Sequence, residues 1–177
     1  MNTFKTLFLT FVTLSWTSYS QQSNQTIAAL NIENSIKVDF PRPHNAPYNI
    51  MFDIETTENN TNYLVISIEL YNDSYFVSPN AKGNFKGKFY MDLGTYTDIN
   101  FDGTITETPL SAIDVESQVN LVRKNTTYKQ ALKLKSKGDF EVFGRVRFTI
   151  EPRCTLEEIP FGIIRKNGVL KITSPKC

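Results

Sequence analysis

Residues 62–71 read Asn-Tyr-Leu-Val-Ile-Ser-Ile-Glu-Leu-Tyr, and this stretch decides the class of fold. Every second residue from Leu64 to Leu70 is aliphatic, whereas Ser67 and Glu69 stand between them. Because successive side chains of a β-strand point to opposite faces of a sheet, this period of two predicts a strand with one buried face.

The same kind of pattern recurs along the chain, with turn-forming residues between the apolar runs. The segments concerned are residues 35–40, 48–55, 86–93, 113–122, 128–135, 140–150, 159–164 and 169–172. Asn167-Gly168 lies between the last two of these runs and is the strongest hairpin signal in the chain. No window of helical length has apolar residues at helical spacing. The sequence therefore predicts an all-β domain, specifically an immunoglobulin-like β-sandwich.

The N-terminus has the features of a cleaved export signal. A short basic start is followed by an apolar run over residues 6–16, and Ser18 and Ser20 are small residues at the positions that a signal peptidase reads. The apolar run is shorter than the about 20 residues that cross a bilayer. We therefore predict a signal peptide over residues 1–20, no membrane span in the mature chain, and a periplasmic or secreted location.

We divide the mature chain into a polar lead-in over residues 21–33 and a single sandwich domain over residues 34–177. The whole sequence has 19 Lys and Arg, 18 Asp and Glu and a formal charge of +1, and removal of Lys5 with the signal peptide leaves a charge of 0. Nucleic acid requires a basic surface, so this balance argues against nucleic acid as a partner.

Two cysteines, Cys154 and Cys177, are the residues most able to carry chemistry. A structural disulfide between them is one interpretation, since a lone pair in an exported domain is commonly a staple. An exchange-active pair is the second, because Arg153 and Lys176 adjoin the two thiols and a nearby cation favours the thiolate. This interpretation requires that Glu151, Glu157 and Glu158 do not cancel the two positive charges. Two unpaired thiols are the third.

The C-terminal third resembles a known family. Three stretches are similar to the N-terminal periplasmic domain of the thiol:disulfide interchange protein DsbD. They are Lys-Gly-Asp-Phe at 137–140, Arg-Phe-Thr-Ile at 147–150 and Glu-Pro-Arg-Cys-Thr-Leu-Glu-Glu-Ile-Pro-Phe at 151–161. The segment Tyr-Phe-Val-Ser-Pro-Asn at 75–80 resembles the aromatic and Ser-Pro segment of that family.

The resemblance implies an immunoglobulin-like fold in a bacterial envelope and thiol–disulfide exchange through Cys154, with a thioredoxin-like protein as one kind of partner. Cys154 matches the second cysteine of the family's redox pair. The first cysteine is expected near residues 147–150, where this chain has none. That departure favours the alternative function, a non-redox module whose Cys154–Cys177 disulfide is purely structural and whose loops bind another envelope protein.

Tyr75 and Phe76 are the candidate partner-binding residues. They stand at the predicted end of a strand beside Ser78-Pro79, where exposed aromatic side chains could form a contact surface or shield a cysteine. The other interpretation is that they belong to the sandwich core.

No classical enzyme site is expected, and no cofactor or metal is predicted. The single histidine, His44, lies in a predicted turn, and one His with two Cys is too few for a zinc site. Residues 98–103 match the start of a calcium loop, but Pro109 stands where that loop needs its bidentate glutamate, and Glu107 could replace it only in a different geometry.

Overall fold

A computed structural model describes residues 38–39 and 45–174. Within these residues the chain forms β-strands, turns and loops and has no helix, so none of the described residues forms a helix able to span a membrane. The strands are β1 (Val38–Asp39), β2 (Tyr48–Thr56), β3 (Asn62–Leu70), β4 (Phe76–Val77), β5 (Tyr90–Asp92), β6 (Ile99–Thr108), β7 (Ala112–Ile113), β8 (Asn120–Val122), β9 (Thr126–Leu134), β10 (Phe140–Ile150), β11 (Thr155–Lys166) and β12 (Val169–Thr173).

The strands form three antiparallel sheets. The first sheet has the order β1-β2-β3-β9-β6, the second β12-β11-β10-β5, and the third, which is small, β4-β8-β7. In the first sheet Ile66 of the decisive segment lies opposite both Phe52 and Tyr128, and all three side chains are buried.

The chain order of these strands is that of an immunoglobulin-like sandwich. Immunoglobulin strands are lettered A to G in chain order, with A, B, E and D in one sheet and C, F and G in the other. Here the first sheet supplies A, B, E and D as β2, β3, β9 and β6, and the second supplies C, F and G as β5, β10 and β11. Strand β12 extends the second sheet beyond G. The third sheet is an insertion, since β4 lies between B and C in the chain and β7 and β8 lie between D and E. The predicted fold class is confirmed.

Two local predictions are confirmed and two are wrong. The segment that begins at Asn62 forms β3, and Asn167-Gly168 joins β11 to β12 with positive φ angles of 51° and 82°, as a type I′ hairpin requires. Residues 113–122 were predicted as one strand but form β7, a turn and β8. Strand β6 was missed, because its Asp, Asn and Gly residues indicate a turn when read alone.

Aromatic rings from both large sheets fill the space between them. Phe52 of the first sheet stacks on Phe161 of the second with ring centroids 5.2 Å apart, and Tyr48 meets Phe148 edge to face at 5.2 Å. Gly144 permits this close packing, since a Cβ atom there would lie 2.5 Å from the Phe161 ring and 2.6 Å from the Asp92 carbonyl oxygen. Contacts of this kind join the two sheets into one core.

Phe161→Ala should lower the free energy of unfolding by about 3–5 kcal/mol, because it removes a fully buried ring and leaves a cavity between the sheets. Phe143→Ala is the matched control, since Phe143 lies on the same sheet with its side chain 43% exposed, and its effect should be about 1 kcal/mol or less. Urea unfolding of both variants measures the difference. Equal losses would show that the rings between the sheets do not hold the sandwich together.

Candidate functional site

Cys154 lies in the turn that connects β10 to β11. The strands pair up to Ile150 and Thr155, which leaves residues 151–154 as the turn, and Cys154 has a positive φ of 51°. Its side chain is exposed, and Sγ donates a hydrogen bond to Oε2 of Glu151 at 3.0 Å. This hydrogen bond is the main reason that the pKa of the Cys154 thiol is raised above its ordinary value, and the negative charge of Glu151 adds to the effect.

The surroundings of Cys154 therefore stabilise the thiol over the thiolate. Exchange chemistry needs the thiolate, so this position is a poor nucleophile at neutral pH. Arg153 was considered as the cation that would lower the thiol pKa, but its guanidinium donates to the carbonyl oxygen of Asn45 at 3.2 Å. Cys154 is a free cysteine among the described residues, and Cys177 lies outside them together with His44. The Cys154–Cys177 disulfide stays a prediction.

Glu151→Gln should shift the alkylation of Cys154 to lower pH, because the amide removes the negative charge that disfavours the thiolate. The rate of reaction with iodoacetamide across a pH series measures the shift, in a Cys177→Ser background so that only one thiol reacts. Glu158→Gln is the control, since its carboxylate on β11 binds Arg145 at 2.9 Å and has no contact with Cys154. An unchanged profile in Glu151→Gln would contradict the assigned cause.

The two aromatic candidates separate in the structure. Phe76 is fully buried, with its ring 4.9 Å from that of Phe148 and 5.8 Å from that of Phe89, so it is a core residue and not a contact residue. Tyr75 is partly exposed, and the guanidinium carbon of Arg123 lies 4.1 Å above its ring. Tyr75 thus holds Arg123 in place on the surface of the third sheet.

The calcium-like string begins strand β6 and does not form a closed loop. Asp98 precedes the strand, residues 99–102 pair with β9 along it, and Gly103 has a positive φ of 65° where the pairing is interrupted. The part of the chain that the structure describes has no group of three or more His, Cys, Asp or Glu side chains placed to hold a metal ion.

Glu107, the alternative calcium ligand considered above, has another role. Its side chain is buried, Oε2 accepts a hydrogen bond from Ser78 Oγ at 2.6 Å, and Oε1 accepts one from the Ser111 backbone N–H at 2.6 Å. Ser78 follows β4 and Ser111 precedes β7, and these are the two outer strands of the small third sheet. One carboxylate on the first sheet therefore holds both outer strands by hydrogen bonds.

A groove on the third sheet carries the most exposed aliphatic residues of the described chain. Three of them lie within six positions of one another in the sequence. They are Leu110, Ile113 and Val115, which are 76%, 61% and 84% exposed. They line a groove of about 340 Å³ together with Arg123 and Lys124. We call this surface the edge groove; its lining residues used below are Leu110, Ser111, Ile113, Asp114, Val115, Arg123 and Lys124.

The edge groove carries a net positive charge. Asp114 is its acidic residue, and its carboxylate accepts hydrogen bonds from the backbone N–H and the hydroxyl of Ser117 at 3.0 and 2.8 Å. These bonds, with a further contribution from Arg123 at 3.5 Å, hold the pKa of Asp114 below its usual range. Because Arg123 already pairs with Asp114, the positive charge of Lys124 has no opposite charge among the residues that line the groove.

A second cleft, of about 520 Å³, lies between loop residues 79–90 and β6. Two of its polar groups are already bound within the domain, since the Gln130 amide donates to the Asp102 carbonyl oxygen at 2.7 Å and the Lys88 ammonium donates to the Ala81 carbonyl oxygen at 2.6 Å. In the edge groove, by contrast, Ser111 Oγ is buried with no hydrogen-bond partner among the described residues. The edge groove is therefore the better candidate for a binding site.

Sequence reasoning did not find the edge groove. Residues 113–122 look apolar enough for one strand, and a strand would have hidden Ile113 and Val115 in a sheet. Asp114 and Ser117 are the residues that could have indicated a turn within this segment, because Asp and Ser side chains that hydrogen-bond to nearby backbone groups are typical of turns.

Neither a protein-family model nor a curated protein matches this sequence. Among solved structures, the chain is similar to the GAE domain of GGA2p from Saccharomyces cerevisiae, with 12% sequence identity and a TM-score of 0.40. The similarity covers 74% of this chain and 98% of that domain. A TM-score of this size supports no inference about function.

Glu107→Ala should lower the free energy of unfolding by about 2 kcal/mol, because it leaves a buried hydroxyl and a backbone N–H without their acceptor. Urea unfolding measures the change. Glu116→Ala is the control, since Glu116 is exposed on the turn between β7 and β8, and it should change stability by about 0.5 kcal/mol or less. A neutral Glu107→Ala would show that the carboxylate does not fasten the third sheet.

Proposed function

We propose that the mature chain works in the periplasm or outside the cell as a non-redox binding domain that recruits another protein through the edge groove. The observation that carries this proposal is the exposure of Leu110, Ile113 and Val115, which lie on β7 or beside it and are not part of the hydrophobic core. Export is supported by the pattern of residues 1–20, from which the sequence predicts a signal peptide.

The free energy gained by burying these aliphatic side chains favours the interpretation that a partner protein covers them. Burying an aliphatic side chain of this size is worth about 1.5–3 kcal/mol, and three of them here stay in water on one small sheet. Single exposed aliphatic residues are ordinary on a protein surface, whereas a cluster rimmed by polar groups is typical of an interaction site. Leu156 and Val169 show the ordinary case, since each is exposed on the second sheet away from the groove.

The thiol–disulfide exchange implied by the resemblance remains a prediction without support from the geometry at Cys154. The turn places a carboxylate against the thiol, whereas an exchange-active cysteine needs a positive environment that lowers its pKa. A binding domain needs no such environment, so the raised thiol pKa is compatible with the proposed function.

Site-specific photo-cross-linking in the native cells tests the proposal. A benzoylphenylalanine side chain at position 113 should form one or a few discrete adducts with another protein, because Ile113 lines the groove and is exposed. The same side chain at Leu156 is the control, as this residue is similarly exposed on a strand of the second sheet and should form no such adduct.

The absence of adducts at position 113, or the same adducts at positions 113 and 156, would overturn the proposed function. Far-ultraviolet circular dichroism of both purified variants should show the same β spectrum as the unmodified domain, which establishes that the comparison is made between folded proteins.

A further inference from the structure

We infer that the edge groove binds an extended segment of the partner protein, which adds as a strand to the open side of β7 and places a carboxylate at Lys124. This inference rests on the proposed function and specifies the chemistry of its partner.

The hydrogen-bond pattern of the third sheet shows which backbone groups are open. Ile113 pairs with Asn120, and the next pair along is Asp114 with Val119, where the Asp114 N–H donates to the Val119 carbonyl oxygen at 2.8 Å. Hydrogen-bonded and non-hydrogen-bonded pairs alternate in an antiparallel ladder, so the Ile113–Asn120 pair is the non-hydrogen-bonded kind.

The partner residue of Ile113 confirms this assignment. The Asn120 carbonyl oxygen faces away from β7 and accepts a hydrogen bond from the Ser78 N–H at 3.0 Å. By the same geometry the N–H and C=O of Ile113 face away from β8. Among the described residues, β7 pairs with β8 alone, so these two groups form an open edge.

The outer side of β10 is covered and the edge of β6 is irregular, whereas β12, like β7, pairs with one strand only among the described residues. Along β10, beyond the short contact with β5, the Phe143 N–H donates to the Tyr96 hydroxyl at 3.1 Å and the Thr149 N–H donates to the Gly87 carbonyl oxygen at 2.8 Å. Strand β6 carries a register shift between Asp102 and Thr106, which disrupts the regular edge. Strand β7 has no such cover in the part of the chain that the structure describes.

Side chains around this edge define the partner segment. Successive residues of an added strand alternate between two faces, so every second side chain of the segment would face the groove. Leu110 and Val115 favour aliphatic or aromatic side chains there. Lys124 favours a carboxylate because its charge is not compensated within the groove.

The probe is a displayed library of random peptides about ten residues long, the upper length of ordinary strands, selected against the purified mature protein. We expect the enriched peptides to combine alternating apolar residues with Asp or Glu. Synthetic copies should bind in fluorescence anisotropy, and their binding should slow hydrogen exchange of the Ile113 amide by about tenfold or more, since that N–H gains an acceptor.

Two variants separate the backbone contact from the charge contact. Ile113→Pro removes the open N–H, which no described group of the domain uses, and should weaken peptide binding by about tenfold. Ile113→Val keeps the N–H and loses one methyl group of the groove, so it should weaken binding by about threefold or less. Lys124→Glu should weaken binding by about fivefold and remove its salt dependence, whereas Lys171→Glu, at an exposed position on β12, should have no effect. A melting temperature within a few degrees of the parent shows that each variant is folded.

Enriched peptides that are basic, helical or without a charge preference would overturn the inference, as would strong binding by Ile113→Pro. The absence of any enriched peptide would overturn it too. If cross-linking at position 113 succeeds while one of these results is obtained, only the strand-addition inference fails. If cross-linking at position 113 also fails, the proposed function fails with it.

Discussion

The packing of Phe76 in the sandwich core is the interaction on which the candidate site depends. Its ring meets Phe148 of the second sheet, and Phe89 joins the cluster by stacking on Tyr128 of the first sheet at 4.2 Å. Phe76 belongs to β4, β4 pairs with β8, and β8 carries β7. An aromatic side chain in the core therefore fixes the position of a strand edge at the surface, while Glu107 fastens the same sheet by a second, polar attachment.

This arrangement separates stability from binding. The two large sheets bury their apolar residues against each other and complete the core without β7. The aliphatic residues of the edge groove add nothing to that core, so they are free to contact a partner. Arg123 shows the same division, since Tyr75 and Asp114 hold it in place while the neighbouring Lys124 has no compensating charge in the groove.

Sequence patterns predicted those features that depend on local periodicity. The alternation in residues 62–71 and the turn at Asn167-Gly168 needed no information from elsewhere in the chain, and both were predicted correctly. Strand β6 was hidden because Gly103 and its polar neighbours are poor strand formers, and the strand forms through pairing with β9 on either side of a register shift between Asp102 and Thr106. The exposure of Ile113 is a result of tertiary structure. The contact of Glu151 with Cys154 is local, because the two residues share one turn, and the sequence had already indicated Glu151 as a charge that could cancel that of Arg153.

An open edge is a hazard for a protein, because identical strands can pair and aggregate. Length limits the hazard here: β7 has two residues, and one residue supplies the open N–H and C=O, so two copies paired edge to edge would gain few backbone hydrogen bonds. At about 1 kcal/mol for each bond, such pairing would be too weak to persist. A partner segment must therefore gain most of its affinity from side chains that fit Leu110, Val115 and Lys124. The short edge fixes the register of the segment, and the groove around it selects the sequence.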